Sequence, residues 1–177
     1  KVFVVDSQRI SVTQKADVLD ALDMAQKGYS AQDIYDNLMK NKMNATIYIT
    51  VPTLDYLKKG GRLSPAAAAL GGLLKIKPVL SIQGEKLDKF GTTRTMKKAR
   101  KMMIDQVKQD IADRGWGDDY EVCCVYSYDR ESGLDYLEQV KEAFPDKNVI
   151  FDRLSLSVSC HIGPGSLACA AFKKNHY

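Results

Sequence analysis

Arg62 and His161 are the side chains in this sequence best suited to meeting an anion. Arg62 follows the pair Gly60-Gly61 within the stretch Tyr56 to Ser64. A guanidinium presents a planar fork of donors that matches a carboxylate or phosphate. The same fork can instead hold the glycine turn by bonding carbonyls, and the sequence leaves both roles open. His161 begins His161-Ile162-Gly163-Pro164-Gly165-Ser166 and is one of only 2 histidines. A glycine-rich turn there can aim the amides of Gly163 and Gly165 at an anion while the imidazole donates one more hydrogen bond. A structurally satisfied histidine is the alternative.

An anion with an apolar tail also needs a dry channel. Each buried methylene contributes ~0.8 kcal/mol, whereas burying an unpaired charge is very costly. The run Ala66-Ala67-Ala68-Ala69-Leu70-Gly71-Gly72 leaves room for a chain to lie against the backbone, although close helix-to-sheet packing uses small residues equally well. Leu73-Leu74-Lys75-Ile76-Lys77-Pro78-Val79-Leu80 follows as strand-type sequence. Together these blocks suit an amphiphile with one charged end.

Other chemistries find less support. Ser159, Cys160 and His161 invite a nucleophile reading, but no glycine-flanked nucleophile elbow or acid partner accompanies them. Gly60-Gly61-Arg62 does not form the GxxxxGK[ST] phosphate loop. Cys123, Cys124, Cys160 and Cys169 lack the paired spacings of zinc sites and are expected as buried free thiols, with Cys123 and Cys124 on opposite faces of one strand.

The blocks YLKKGGRLS, LLKIKPVL and HIGPGS, in this order, resemble the C-terminal half of the DegV family of bacterial fatty-acid-binding proteins. Val4-Val5-Asp6-Ser7 and Gly91 to Ala99 extend the resemblance over nearly the whole chain. It implies an α/β fold, DegV-like, with a sheet covered by helices and a remnant of a preceding α/β lobe. It further implies a long-chain fatty acid in a buried tunnel, no cofactor, and a separate fatty acid kinase as partner. His161 then contacts the carboxylate, with Arg62 and the Gly163 and Gly165 backbone beside it. Leu70, Leu73, Ile76 and Val158 are candidate tunnel-lining residues, and Arg94 matches a basic position near the pocket entrance that serves the kinase. From its own surroundings Arg94 reads as a solvated residue at a helix start. Full-length relatives begin with a lobe carrying serine and threonine contacts to the carboxylate, so this chain is expected to be a truncated fragment. Residues 1–44 are then the end of that lobe with its connecting helices, and residues 45–177 are the lipid-binding lobe. The competing functions are a small-molecule transferase or hydrolase using His161, and a regulatory or structural module.

Composition agrees with an ordinary globular α/β chain. It has 177 residues, 45% hydrophobic and 27% charged, with a net charge of +4. No apolar run approaches the ~20 residues needed to cross a bilayer, and a cytoplasmic location is expected. The lysines at Lys97 to Lys101 and Lys173-Lys174 lack the interleaved aromatics of a nucleic-acid surface. They read as a solvated helix face or a docking surface for an acidic protein.

Elements follow from periodicity and caps. A buried strand is predicted at Lys1 to Asp6, a helix at Lys15 to Lys27 stopped by Gly28, and a helix capped by Ser30. Strand Ala45 to Val51, helix Leu54 to Lys58 ended by Gly60-Gly61, and a helix from Ser64-Pro65 come next. Lys75 to Ile82 and Glu85 to Phe90 flank Gly84 as a hairpin. Thr95 to Asp113 is the longest helix. Tyr120 to Tyr126, Ser132 to Phe144, Asn148 to Phe151, Ser155 to Cys160 and Leu167 to Phe172 continue the alternation.

Overall fold

Strand β1 (Ala45–Thr50) sets the architecture, because its alternate residues are apolar on one side and hydroxyl-bearing on the other. The computed structural model describes residues 1–63, 76–82 and 87–177. Within them β1 joins β2 (Lys77–Ile82), β3 (Leu87–Thr93), β4 (Tyr120–Tyr126), β5 (Ile150–Arg153) and β6 (Leu167–Lys173) in a sheet ordered β3-β2-β1-β6-β4-β5. All neighbours run antiparallel except β4 and β5. The parallel pair needs a crossover, which α5 (Arg130–Ala143) supplies.

The two faces of the sheet are covered unequally. Tyr48, Val79, Val122, Cys124, Tyr126, Leu167 and Cys169 lie on the first face, under α4 (Met96–Asp113) and α5. These long helices bring continuous buried stripes, including Ala99, Met103, Val107 and Ile111 from α4 and Tyr136, Leu137 and Val140 from α5. Each of the larger aliphatic side chains contributes ~1.5–3 kcal/mol through burial. One polar contact fixes α4 in place. The buried Asp110 carboxylate accepts hydrogen bonds from Thr46, from the Tyr48 hydroxyl at 2.8 Å and from the Gln106 amide at 2.8 Å. Burial and that bond push the Tyr48 phenol up to about 12.

The second face carries Ile47, Ile49, Leu80, Cys123, Val125, Ala168 and Ala170. Its cover is α1 (Ser11–Gln26) together with the short helices α3 (Asp55–Lys59) and α6 (Leu156–Ile162). A helix of two turns or fewer cannot fill the space over a sheet as α4 does. Among the described residues a gap is left on this side, and the site forms there. Helix α2 (Ala31–Asn41) packs on α1, and its N-cap is the predicted one, with the Ser30 hydroxyl accepting the Asp33 amide at 3.2 Å.

Several expectations are corrected. Lys1 to Asp6 is not a strand, and Val2 and Val4 are 87% and 80% exposed. Apolar β-branched sequence forms a strand only where a neighbouring edge takes its backbone hydrogen bonds, and no described strand pairs with it. Helix α1 begins at Ser11 instead of Lys15, because Thr13 folds its hydroxyl back to accept the Ile10 amide at 3.3 Å and donate to the Ile10 carbonyl at 2.7 Å. Helix α5 begins at Arg130 instead of Ser132, since Asp129 accepts the Ser132 amide at 3.1 Å and becomes the cap. Cys123, Cys124 and Cys169 are buried as expected, but Cys160 is exposed on α6. The helix expected from Ser64, the small-residue run, Leu70, Leu73 and Gly84 lie outside the described residues.

Candidate functional site

The second face holds a cavity of about 620 Å³, within the usual range of small-molecule pockets, ~300–1,000 Å³. Ile49, Ile82 and Leu87 from the sheet form part of its wall, with Val12 and Val18 from α1 and Val158 and Ile162 from α6. Its polar residues include Lys15, Arg62, Asp152, Arg153 and His161. A lining that combines apolar side chains with Lys15, Arg62 and Arg153 is what an amphiphilic anion requires.

Arg62 and His161, far apart in sequence, therefore share one cavity. Helices α3 and α6 bring them together through a close approach at Gly60, where an added Cβ would lie 2.7 Å from His161 Nδ1. Arg62 Nη1 donates to the Gly60 carbonyl at 3.0 Å, so the arginine holds the glycine turn and also lines the cavity. Val158 lines it as well, whereas Ile76 packs against the apolar cluster on the same face without reaching the wall.

The GPGS turn has a different job from the one its glycines suggest. The Gly163 amide donates to the Ser159 carbonyl at 2.9 Å and the Gly165 amide to the Ser127 carbonyl at 3.1 Å. Both amides are thus satisfied internally, and neither glycine lines the cavity. His161 sits on the last turn of α6, ahead of the glycine turn. What the turn does is anchor α6. Ser127 Oγ donates to the Gly163 carbonyl at 2.6 Å and accepts the Ser166 amide at 3.2 Å, while Ser166 Oγ lies 3.1 Å from the Ile162 and Gly163 carbonyls. Ser127→Ala is expected to lower the unfolding free energy by ~1–3 kcal/mol, because it leaves a buried amide and weakens the partnering of a buried carbonyl. Urea denaturation followed by circular dichroism reads this directly.

The nucleophile reading loses its geometry. Consecutive residues on a helix diverge by about 100° around the axis, so Ser159, Cys160 and His161 point in different directions. Ser159 Oγ donates to the Leu154 carbonyl at 3.3 Å, and neither Ser159 nor Cys160 lines the cavity.

Arg94 occupies another place. It precedes the α4 cap residue Thr95, whose hydroxyl accepts the Lys98 amide at 3.2 Å, and it lines an open groove of about 950 Å³ between β3 and α4. Lys98, Lys101 and Asp105 share that groove. Arg94 does not line the second-face cavity.

Lys15, Val18, Asp152 and Arg153 were not singled out from sequence. Lys15 and Val18 sit in a helix whose sequence does not separate an apolar face from a polar one, with Val18, Leu19 and Leu22 all exposed, and Asp152-Arg153 looks like the polar end of a strand. Only the packing of α1 against the sheet brings them to the cavity. Among the described residues no cluster of His, Cys, Asp or Glu is arranged to hold a metal, and no helix is long and apolar enough to cross a membrane.

A six-stranded mixed sheet with helices on both faces and a cavity on the second defines a mixed α/β protein. The family model described as "Uncharacterised protein, DegV family" matches residues 1–174. The chain belongs to the DegV family. It is 32% identical over 167 residues to a DegV domain-containing protein of Clostridium perfringens, covering 93% of this chain and 56% of the relative. Among solved structures it is similar to a fatty acid binding DegV family protein from Streptococcus agalactiae, with a TM-score of 0.86 and 27% identity, over 99% of this chain and 61% of that one. A stearic acid-binding protein from Eubacterium ventriosum aligns with a TM-score of 0.84 and 26% identity, over 97% and 59% of the two chains. The chain thus spans little more than half the length of these relatives.

Proposed function

We propose that this chain binds a long-chain fatty acid, with the acyl tail along the apolar wall of the second-face cavity and the carboxylate beside His161 and Arg62. The observation that carries this reading is the meeting of Arg62, His161 and an apolar wall in one cavity of about 620 Å³. The ligands named for the similar Streptococcus and Eubacterium proteins supply the chemical class. The chain acts as a carrier and not as an enzyme, and it presents the carboxylate to a fatty acid kinase, with the basic groove at Arg94 as the partner-binding surface. Residues 1–44 belong to a preceding lobe and 45–177 to the binding lobe, and α1 reaches across that division to wall the cavity.

Mass spectrometry of an organic extract of the purified protein, followed by titration with hexadecanoate, tests the reading. Bound fatty acid and saturable binding support it, and failure of added hexadecanoate to bind overturns it. His161→Ala is expected to weaken hexadecanoate by ~1.5–3 kcal/mol, the range for a hydrogen bond to a charged group. Unchanged affinity removes His161 from the headgroup site. Val18→Asp places a carboxylate on the cavity wall at a position 62% exposed, so folding is spared. Binding is expected to fall by at least about tenfold, as an apolar contact becomes a like charge.

A further inference from the structure

One ion pair bridges the cavity's cationic side. Lys15 Nζ on α1 donates to Asp152 Oδ2 at the end of β5 at 2.7 Å, and both residues line the cavity with Arg62, Arg153 and His161. Among the described residues Asp152 is the sole acidic one on that lining. The two partners are held differently. Asp152 Oδ1 accepts the Arg153 amide at 2.8 Å, which fixes the carboxylate. The Lys15 ammonium has Asp152 as its one partner among the described residues, and its side chain is 60% exposed. An ammonium offers three donors, so Lys15 is free to turn.

We propose that Asp152 is a built-in competitor for the ligand carboxylate, and that Lys15 exchanges Asp152 for the headgroup when a fatty acid enters. This deepens the fatty-acid reading above and rests on it. Exchange is physically easy because the pair is exposed. Such pairs contribute little and break readily, and Asp152, at 33% side-chain exposure, is rehydrated when released. The number of ion pairs at Lys15 is unchanged by the swap. Both groups stay ionised across neutral pH. The Asp152 hydrogen bond and charge raise Lys15, while burial pulls Asp152 up but is outweighed by its bonds to Lys15 and to the Arg153 backbone, which hold it below the usual carboxylate range. Asp152 therefore opposes a carboxylate headgroup by occupying Lys15 and by like charge, and it leaves a neutral headgroup unaffected. The pair tunes affinity according to headgroup charge and is indifferent to the tail.

Paired titrations with hexadecanoate and 1-hexadecanol, which share a tail and differ in charge, test this on the full chain. Asp152→Asn is expected to tighten hexadecanoate roughly two- to fivefold, and Lys15→Met to weaken it by a similar factor, with 1-hexadecanol unchanged in both. Unchanged hexadecanoate affinity in Asp152→Asn overturns the proposal. So do equal changes for both ligands, which indicate a shift of α1 instead of a charge exchange. If the unaltered protein binds no hexadecanoate, the fatty-acid reading itself fails and this one falls with it.

Discussion

Asp17→Ala is expected to destabilise the protein by ~3–5 kcal/mol, the cost of leaving a buried charge without its partner. Asp17 on α1 meets Arg9 at 2.7 Å, and their side chains are only 7% and 4% exposed. Arg9 also donates through Nε to the Lys42 carbonyl at 3.1 Å and through Nη2 to the Asn41 carbonyl at 2.7 Å. Removing Asp17 strands the guanidinium between α1 and the end of α2. The pair is nonetheless not a strong net stabiliser, because desolvating both groups offsets their attraction. Burial, opposed by the Arg9 charge, pushes the Asp17 carboxyl up to about 6 from its ordinary 3.8. A folded-state value above the unfolded one means that the native state binds the extra proton. The Asp17 contribution to stability is then fully present below about pH 4 and is lost as pH rises through about 6. Urea unfolding at several pH values should show this slope in the unaltered protein and its loss in Asp17→Asn. The double variant Arg9→Met/Asp17→Leu should recover most of the stability lost in Asp17→Ala. Failure to recover would place the loss in packing instead of charge.

Gly163→Ala is expected to cost ~2–4 kcal/mol and to weaken ligand binding as well. Two independent terms contribute. Gly163 has φ 79° and ψ 174°, a region essentially restricted to glycine, where another residue costs ~1–3 kcal/mol. A Cβ there would also overlap the Tyr56 ring of α3, and relieving such an overlap costs ~1–3 kcal/mol. The ring belongs to α3, which carries Gly60 against His161 and leads into Arg62, so displacing it disturbs the contact between α3 and α6. A stability loss with hexadecanoate affinity intact would show that the α3–α6 contact does not position the headgroup residues. Gly61→Ala is the control, since its φ is also positive but no described atom lies within 4 Å of an added Cβ, so the backbone term applies without the Tyr56 overlap.

Most elements were legible because each carries its own local signal. Ser30 with Asp33, Thr95 before Met96, and glycines at Gly28 and Gly115 fix helix ends through hydrogen bonds and φ angles that involve only near neighbours. The alternation in β1, β4 and β6 likewise separates two faces before any partner is known. The Lys1 to Asp6 segment shows the limit of such reasoning, since its strand-like residues carry no information about whether a sheet edge is present to receive them.

At the site, residue chemistry alone drew attention to Arg62 and His161, a guanidinium after two glycines and a rare histidine, while Val158 came from the family resemblance. Tertiary structure decided what each one faces. The Gly163 and Gly165 amides, free in any local reading, are spent on Ser159 and Ser127. Arg94 is placed in a separate groove. Lys15 and Asp152, unremarkable in sequence, meet across the cavity. Residue type and spacing fix local hydrogen bonding and periodicity, whereas the contents of a cavity depend on the packing of segments distant in the chain. Here that is the seating of α1, α3 and α6 over one face of the sheet.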